Sequence, residues 1–180
     1  MWTEPLARSL DVRRAAARGA AVCGAGDPQQ LPRFRALLAE DSGTIAADLA
    51  FSRDEENRFV IRVSVSAEVQ VVCQRCLQPM PLALAADNTL AVVWNDEQAR
   101  QLPRSLEPLI LGEDEDCSLW DIVEDELILG LPAFSYHDTD DCKKILAEFS
   151  APPAEAGGGE EKSNPFNVLA QLKPGDNTRS

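Results

Sequence analysis

The feature that most constrains this chain is an alternation of period two running from Phe59 to Cys73. Phe59, Ile61, Val63, Val65, Ala67, Val69, Val71 and Cys73 share one parity, while Arg62, Ser64, Ser66, Glu68 and Gln70 share the other. Successive strand side chains point to opposite faces, so the pattern predicts a half-buried antiparallel strand. Its length predicts a bend or bulge within it. Ile45, Ala47, Leu49 and Phe51 alternate before a polar turn at Asp54-Glu55-Glu56-Asn57. A further alternation follows through Leu82, Leu84, Ala86, Asn88, Leu90, Val92 and Trp94, in which Asn88 is the one polar intruder. The segment between the two longer runs, Cys73-Gln74-Arg75-Cys76-Leu77-Gln78-Pro79, reads as the tip of a long β-hairpin.

Helical signals lie on both sides of these strands. Asp11 is placed to cap a short helix through Arg18, with Gly19 after it. Asp27-Pro28 is a cap followed by a first-turn proline. Leu31, Phe34, Leu37 and Leu38 then recur at helical spacing, predicting an amphipathic helix over 28–39. Gly24-Ala25-Gly26, just before it, reads as a turn. Asn95-Asp96-Glu97 starts a short helix that stops before Pro103. Ser118 and Asp121 resemble a capping box. Leu119, Ile122, Val123, Leu127 and Leu131 mark the buried side of the helix it would open, with Asp121, Glu124 and Asp125 on the wet side and Pro132 as the stop. The fold class expected is α+β: an antiparallel meander with a long hairpin, C-x-x-C at its tip, packed with several short helices. The expected organisation is a single domain over 1–148, helical over 1–40, β-rich over 44–95, and acidic and helical over 96–148. A flexible Ala-, Pro-, Gly- and Glu-rich linker over 149–163, a short docking helix over 164–173 and a disordered tail over 174–180 would follow.

Charge narrows the function. The 180 residues carry 30 Asp and Glu against 17 Lys and Arg, a net −13. Nucleic-acid affinity is largely phosphate neutralisation by Lys and Arg, so the chain is a poor general RNA binder. A basic protein partner suits its field better. Residues 87–148 hold sixteen acids and four bases, whereas residues 1–40 hold six arginines and four acids. Any direct RNA contact would therefore come from Arg13, Arg14, Arg18, Arg33 and Arg35, joined by Arg75 at the hairpin tip. The acidic run Glu113, Asp114, Glu115 and Asp116 is the candidate surface for a basic partner, although a plain solvated loop has the same composition. Asn164, Pro165, Phe166 and Leu169 would supply a second, apolar contact. No apolar run is long enough to span a bilayer, and Met1 to Pro5 lacks the layout of a signal peptide, so a cytoplasmic protein with no membrane contact is expected.

Little in the sequence suggests catalysis. There is one histidine, no G-x-S-x-G, no phosphate-binding loop and no H-E-x-x-H, so an enzyme is not expected. The informative pair is Cys73-x-x-Cys76, at zinc-knuckle spacing. His137, five residues before Cys142, would complete a Cys₃His set with it. Such a set fills a tetrahedral shell and points to structural zinc. Reduced thiols that merely pack nearby are the alternative. A thioredoxin-like redox pair is less suited, because that motif belongs at a strand-to-helix junction. Cys23 and Cys117 read as packing or surface thiols.

Taken together these stretches resemble the YceD family, the large ribosomal RNA subunit accumulation proteins of bacteria. The resemblance spans about residues 5–173. It is carried by Cys73-Gln74-Arg75-Cys76, by Leu119-Trp120-Asp121-Ile122-Val123-Glu124-Asp125-Glu126-Leu127-Ile128-Leu129, by Leu131-Pro132 with His137-Asp138 and Cys142, and by Asn164-Pro165-Phe166 with Val168-Leu169. Asp96-Glu97-Gln98-Ala99 and Glu107-Pro108 also fit. The resemblance implies a role in the synthesis, processing or stability of large-subunit ribosomal RNA. Some family members carry extra cysteines in place of the His137–Cys142 region, like a metal site with changed ligands. A non-enzymatic factor that binds a ribosomal protein or precursor particle is the leading expectation, meeting ribosomal RNA directly or indirectly. The alternatives are a direct RNA-binding module and an RNA-processing enzyme or its regulator.

Overall fold

The computed structural model describes residues 5–112 and 116–150, the last five of these by backbone alone. The fold is α+β. In chain order its elements are β1 (Ser9–Leu10), α1 (Val12–Arg18), β2 (Ala21–Gly26), a single 3₁₀ turn (Pro28–Gln30), α2 (Pro32–Arg35), β3 (Gly43–Arg53), β4 (Phe59–Val72), β5 (Pro79–Val93), α3 (Asp96–Arg100), β6 (Glu107–Ile110), β7 (Cys117–Ser118), α4 (Leu119–Gly130) and α5 (Asp140–Ser150). Five strands form one sheet in the order β2-β3-β4-β5-β6, antiparallel except for the β5–β6 edge pair, and β1 pairs separately with β7. Among the described residues no helix is long and apolar enough to cross a membrane.

The long alternation is β4, and it is straight in register. Its pairing with β3 runs from Gly43↔Val69 to Arg53↔Phe59, and with β5 from Val60↔Ala91 to Val72↔Pro79, with no residue skipped on either side. The expected bulge is absent because β4 has a neighbour along nearly its whole length on both sides, and each pairing holds the other in phase. Ile61, Val63, Val65, Ala67, Val69 and Val71 are all buried on one face. Ile45, Leu49 and Phe51 of β3 and Leu84, Leu90 and Val92 of β5 extend this face. Val12, Leu31, Phe34, Leu119, Val123 and Leu127 close over it to form one core. Asn88 is no flaw in β5: its amide donates to Glu126 Oε1 (3.3 Å) on α4.

Four expectations about the first forty residues and α4 need correction. The helix expected over 28–39 is broken into the 3₁₀ turn and four-residue α2. Pro32 has no N–H to continue the helix begun at Pro28, so the chain restarts there, and Leu37 ends half exposed. Gly24-Ala25-Gly26 is not a turn but the end of edge strand β2. There a Cβ at Gly24 would stand 2.4 Å from the Leu6 backbone nitrogen, so only glycine lets the N-terminal segment cross. The Ser118–Asp121 capping box does not form: Ser118 makes no side-chain cap bond and is instead held in β7. Aspartate is one carbon too short for the return bond.

Glu124, expected on the wet side of α4, is 3% exposed. Its Oε1 accepts from the N–H of Arg33 (2.6 Å) and of Phe34 (3.0 Å), and its Oε2 from Arg33 Nε (2.8 Å). It thus caps the start of α2, where Leu31 offers no side-chain cap of its own. Asp125 reaches only the exposed Arg33 Nη1 (2.8 Å). Glu124→Ala is accordingly expected to cost about 2 kcal/mol in urea denaturation, because two backbone donors lose their acceptor. Asp125→Ala should stay within about 0.5 kcal/mol of the parent. Equal effects of the two would show that the cap carries no stability.

Candidate metal centre

The hairpin between β4 and β5 closes through a tight turn. The Leu77 N–H donates to Cys73 O (2.8 Å) and the Cys73 N–H to Gln78 O (3.0 Å). Leu77 takes φ +60°, the left-handed conformation that this closure demands. Because Cys73 continues the inward parity of β4, its thiol is fully buried, whereas Cys76 stands half-buried.

The second half of the site arrives from the chain after α4. Pro132 and the extended residues beyond it run back to the hairpin tip. There the Gln74 N–H donates to Ser135 O (2.9 Å), and the Ser135 N–H donates to Gln74 Oε1 (3.2 Å). This pairing sets His137 and the first turn of α5, with Cys142 in it, above the Cys73–Cys76 turn. Asp140 and Asp141 open that helix, where carboxylates suit the positive end of the peptide dipoles.

The four expected ligands come together. The ligand atoms of Cys73, Cys76, His137 and Cys142 all lie within 4.8 Å of one another. Cys73 Sγ is 3.6 Å from Cys142 Sγ, and Cys76 Sγ is 3.3 Å from His137 Nδ1. Around tetrahedral zinc two thiolates stand about 3.8 Å apart, and a thiolate and an imidazole about 3.5 Å, so this donor set could hold such an ion. The surroundings favour thiolate. Burial alone would raise the Cys73 thiol, but backbone N–H groups of Cys76, His137 and Arg75 outweigh it and bring the thiol from 9.0 down to about 5. The His137 N–H lies 3.4 Å from Cys73 Sγ. Cys142 moves the other way, raised by burial and by the neighbouring Cys73 and Cys76 sulfurs. Three thiols that share one pocket in this way gain from a cation that neutralises them together.

The other candidate residues are dispersed. Arg13 lies over the Trp94 ring (4.5 Å), Arg14 pairs with Asp11 (3.1 Å), Arg33 is held by Glu124 and Asp125, and Arg35 pairs with Asp41. Arg18 is exposed at the end of α1. Arg75 stands over the Tyr136 ring (4.9 Å) at the metal centre. Asp116 is exposed, while Glu113, Asp114, Glu115, Asn164, Pro165, Phe166 and Leu169 lie outside the described residues, as does the chain from residue 151 onward. Periodicity gave no hint of Ser135, Phe134 or Tyr136, because that stretch belongs to no helix or strand. The Gln74–Ser135 pairing has no sequence signal at all.

Residues 61–173 match the family model described as "Large ribosomal RNA subunit accumulation protein YceD". A curated protein of that name from Haemophilus influenzae is 36% identical over 142 residues, covering 76% of this chain and 80% of that protein. No solved structure matches the chain.

Protein purified without chelator is expected to carry about one zinc per chain by elemental analysis. Cys76→Ser should empty the site, and Cys23→Ser should leave it filled. Chelation should lower the melting temperature by roughly 10 °C, because an ion that binds only the folded chain stabilises it. Zinc at background level in fresh protein would overturn the assignment.

Proposed function

Because the chain belongs to the YceD family of large ribosomal RNA subunit accumulation proteins, we propose that it is a cytoplasmic ribosome-biogenesis factor needed for large-subunit ribosomal RNA to accumulate. The observation that carries this reading is the 36% identity that extends over most of both chains. It acts by binding rather than by catalysis. Support comes from what the ionisable side chains already do: His137 lies against the cysteine cluster, Glu124 caps α2, and buried Glu126 is bonded to Asn88. The zinc proposed for Cys73, Cys76, His137 and Cys142 is structural, since four protein ligands leave no open position for a substrate.

The partner is a basic ribosomal protein or the precursor particle that displays it, and ribosomal RNA is reached through that partner. A net charge of −13 repels free RNA and attracts basic proteins, which speeds encounter at low salt. Glu113, Asp114, Glu115 and Asp116 contribute to that field. Asn164, Pro165, Phe166 and Leu169 form the second contact, with Phe166 and Leu169 as its apolar anchors.

Deleting the gene should reduce large-subunit ribosomal RNA, and the protein should travel with large-subunit precursors on a sucrose gradient. Normal ribosomal RNA in the deletion strain would overturn the proposal. Reversing Glu113, Asp114, Glu115 and Asp116 to lysine should slow recruitment, while Phe166→Ala with Leu169→Ala should speed dissociation. Variants that both bind and restore ribosomal RNA like the parent place the contact elsewhere. Truncation after Ser150 should leave a body that melts cooperatively; a lost transition would show that the removed segment completes the core.

A further inference from the structure

The tip of the hairpin carries side chains that the fold does not need. Leu77 combines a left-handed backbone with a side chain 71% exposed. A sequence selected for the turn alone would place glycine or asparagine there, since both the conformation and the exposed leucine are unfavourable. On the segment paired with Gln74, Phe134 is 69% exposed and Tyr136 is exposed as well. Their rings stack nearly parallel, with centroids 6.4 Å apart and planes 7° off. The Arg75 guanidinium lies on Tyr136. Ser135, between the two rings in sequence, is hydrogen-bonded to Gln74, and His137 just after them joins the four-ligand cluster, so the rings are fixed to the hairpin tip at both ends.

We propose that the Arg75–Tyr136–Phe134 stack, with exposed Leu77 two residues beyond Arg75 in the hairpin turn, docks an arginine-bearing segment of a basic protein. This rests on the protein-partner reading above and names its surface. Arg75 shows that the stack already receives a guanidinium, and Phe134 offers a further exposed ring for a second. Guanidinium is planar and weakly hydrated, so it stacks on rings better than an ammonium does. Charge selects the same partner. Asp138, Asp140 and Asp141 follow directly on the stack, and all three are exposed. Asp138 and Asp141 make surface pairs with Lys143 (2.7 Å) and Lys144 (3.2 Å), and Arg75 adds its charge near Asp138; such surface pairs are worth little and yield readily to a partner's arginines. An unpaired RNA base could stack on the same rings, but its phosphates carry the sign of the protein's own field.

The test is fluorescence anisotropy of the full chain with three probes: an arginine-rich peptide, a lysine peptide of equal charge and a single-stranded oligoribonucleotide. The arginine peptide should bind about two- to fivefold more tightly than the lysine peptide. Phe134→Ala and Tyr136→Ala should each weaken it by about two- to fivefold and together remove the arginine preference. Phe134→Ala, which leaves the Arg75–Tyr136 contact in place, should keep the parent's melting temperature and metal content. Leu77→Gly relieves the backbone, so it should fold at least as well and still bind more weakly. Equal affinity for the two peptides, unchanged binding by Phe134→Ala, or tighter binding of the oligoribonucleotide would each overturn the proposal. The deletion strain separates the two levels. If Phe134→Ala binds peptide like the parent while the gene still restores ribosomal RNA, the surface fails and the function stands. Ribosomal RNA that never depends on the gene removes the function itself.

Discussion

The unbroken register of β4 between β3 and β5 is the constraint on which the rest of the molecule depends. Fourteen residues, ten of them paired on both sides, fix which side chains face the core. They also fix the parity of the next residue, Cys73. A slip of one position would turn Val63, Val65, Val69 and Val71 to water and Cys73 with them. The buried half of the Cys₃His cluster is therefore a direct extension of the hydrophobic pattern, and the same physics that closes the core aims the Cys73 thiol.

The second half of the centre is held by quite different forces. No apolar periodicity brings residues 133–142 to the hairpin tip. They are fixed by a pair of hydrogen bonds to Gln74, by Arg75 on Tyr136, and by sulfur and imidazole in mutual contact. A segment fastened by so few contacts gains most from a bound cation, which replaces several weak attachments with strong ones. Burial at Cys73 and Cys142 keeps water from competing for the ligands.

Much of the architecture was legible in the sequence because it follows from local rules. Period two marked β3, β4 and β5, and Asp11, Asp27 and Asn95 each cap as their residue types suggest, accepting from Arg14, Gln29 and Gln98 N–H. The spacing of Cys73, Cys76, His137 and Cys142 singled out side chains that the fold does bring together. What could not be read were the contacts set by tertiary structure. Glu124 has the look of a solvated residue, and only the approach of α2 buries it. The parallel strand β6 is too short to show a period, and it owes its pairing to the free edge of β5. At Pro32 the signal was present, but the apolar spacing around it pointed the other way.

The bond between Glu124 and the start of α2 joins residues 90 positions apart. A chain made from its N-terminus thus presents residues 28–35 long before the carboxylate that will cap them exists. The hairpins of β3, β4 and β5 join neighbours in sequence and close first, whereas the long loop to α4 carries a greater entropic cost. Throughout that interval Arg33 is an uncommitted cation and α2 has no cap. The start of α2, whose cap comes from α4, therefore commits to its final shape only after residues some ninety positions further on have joined the fold.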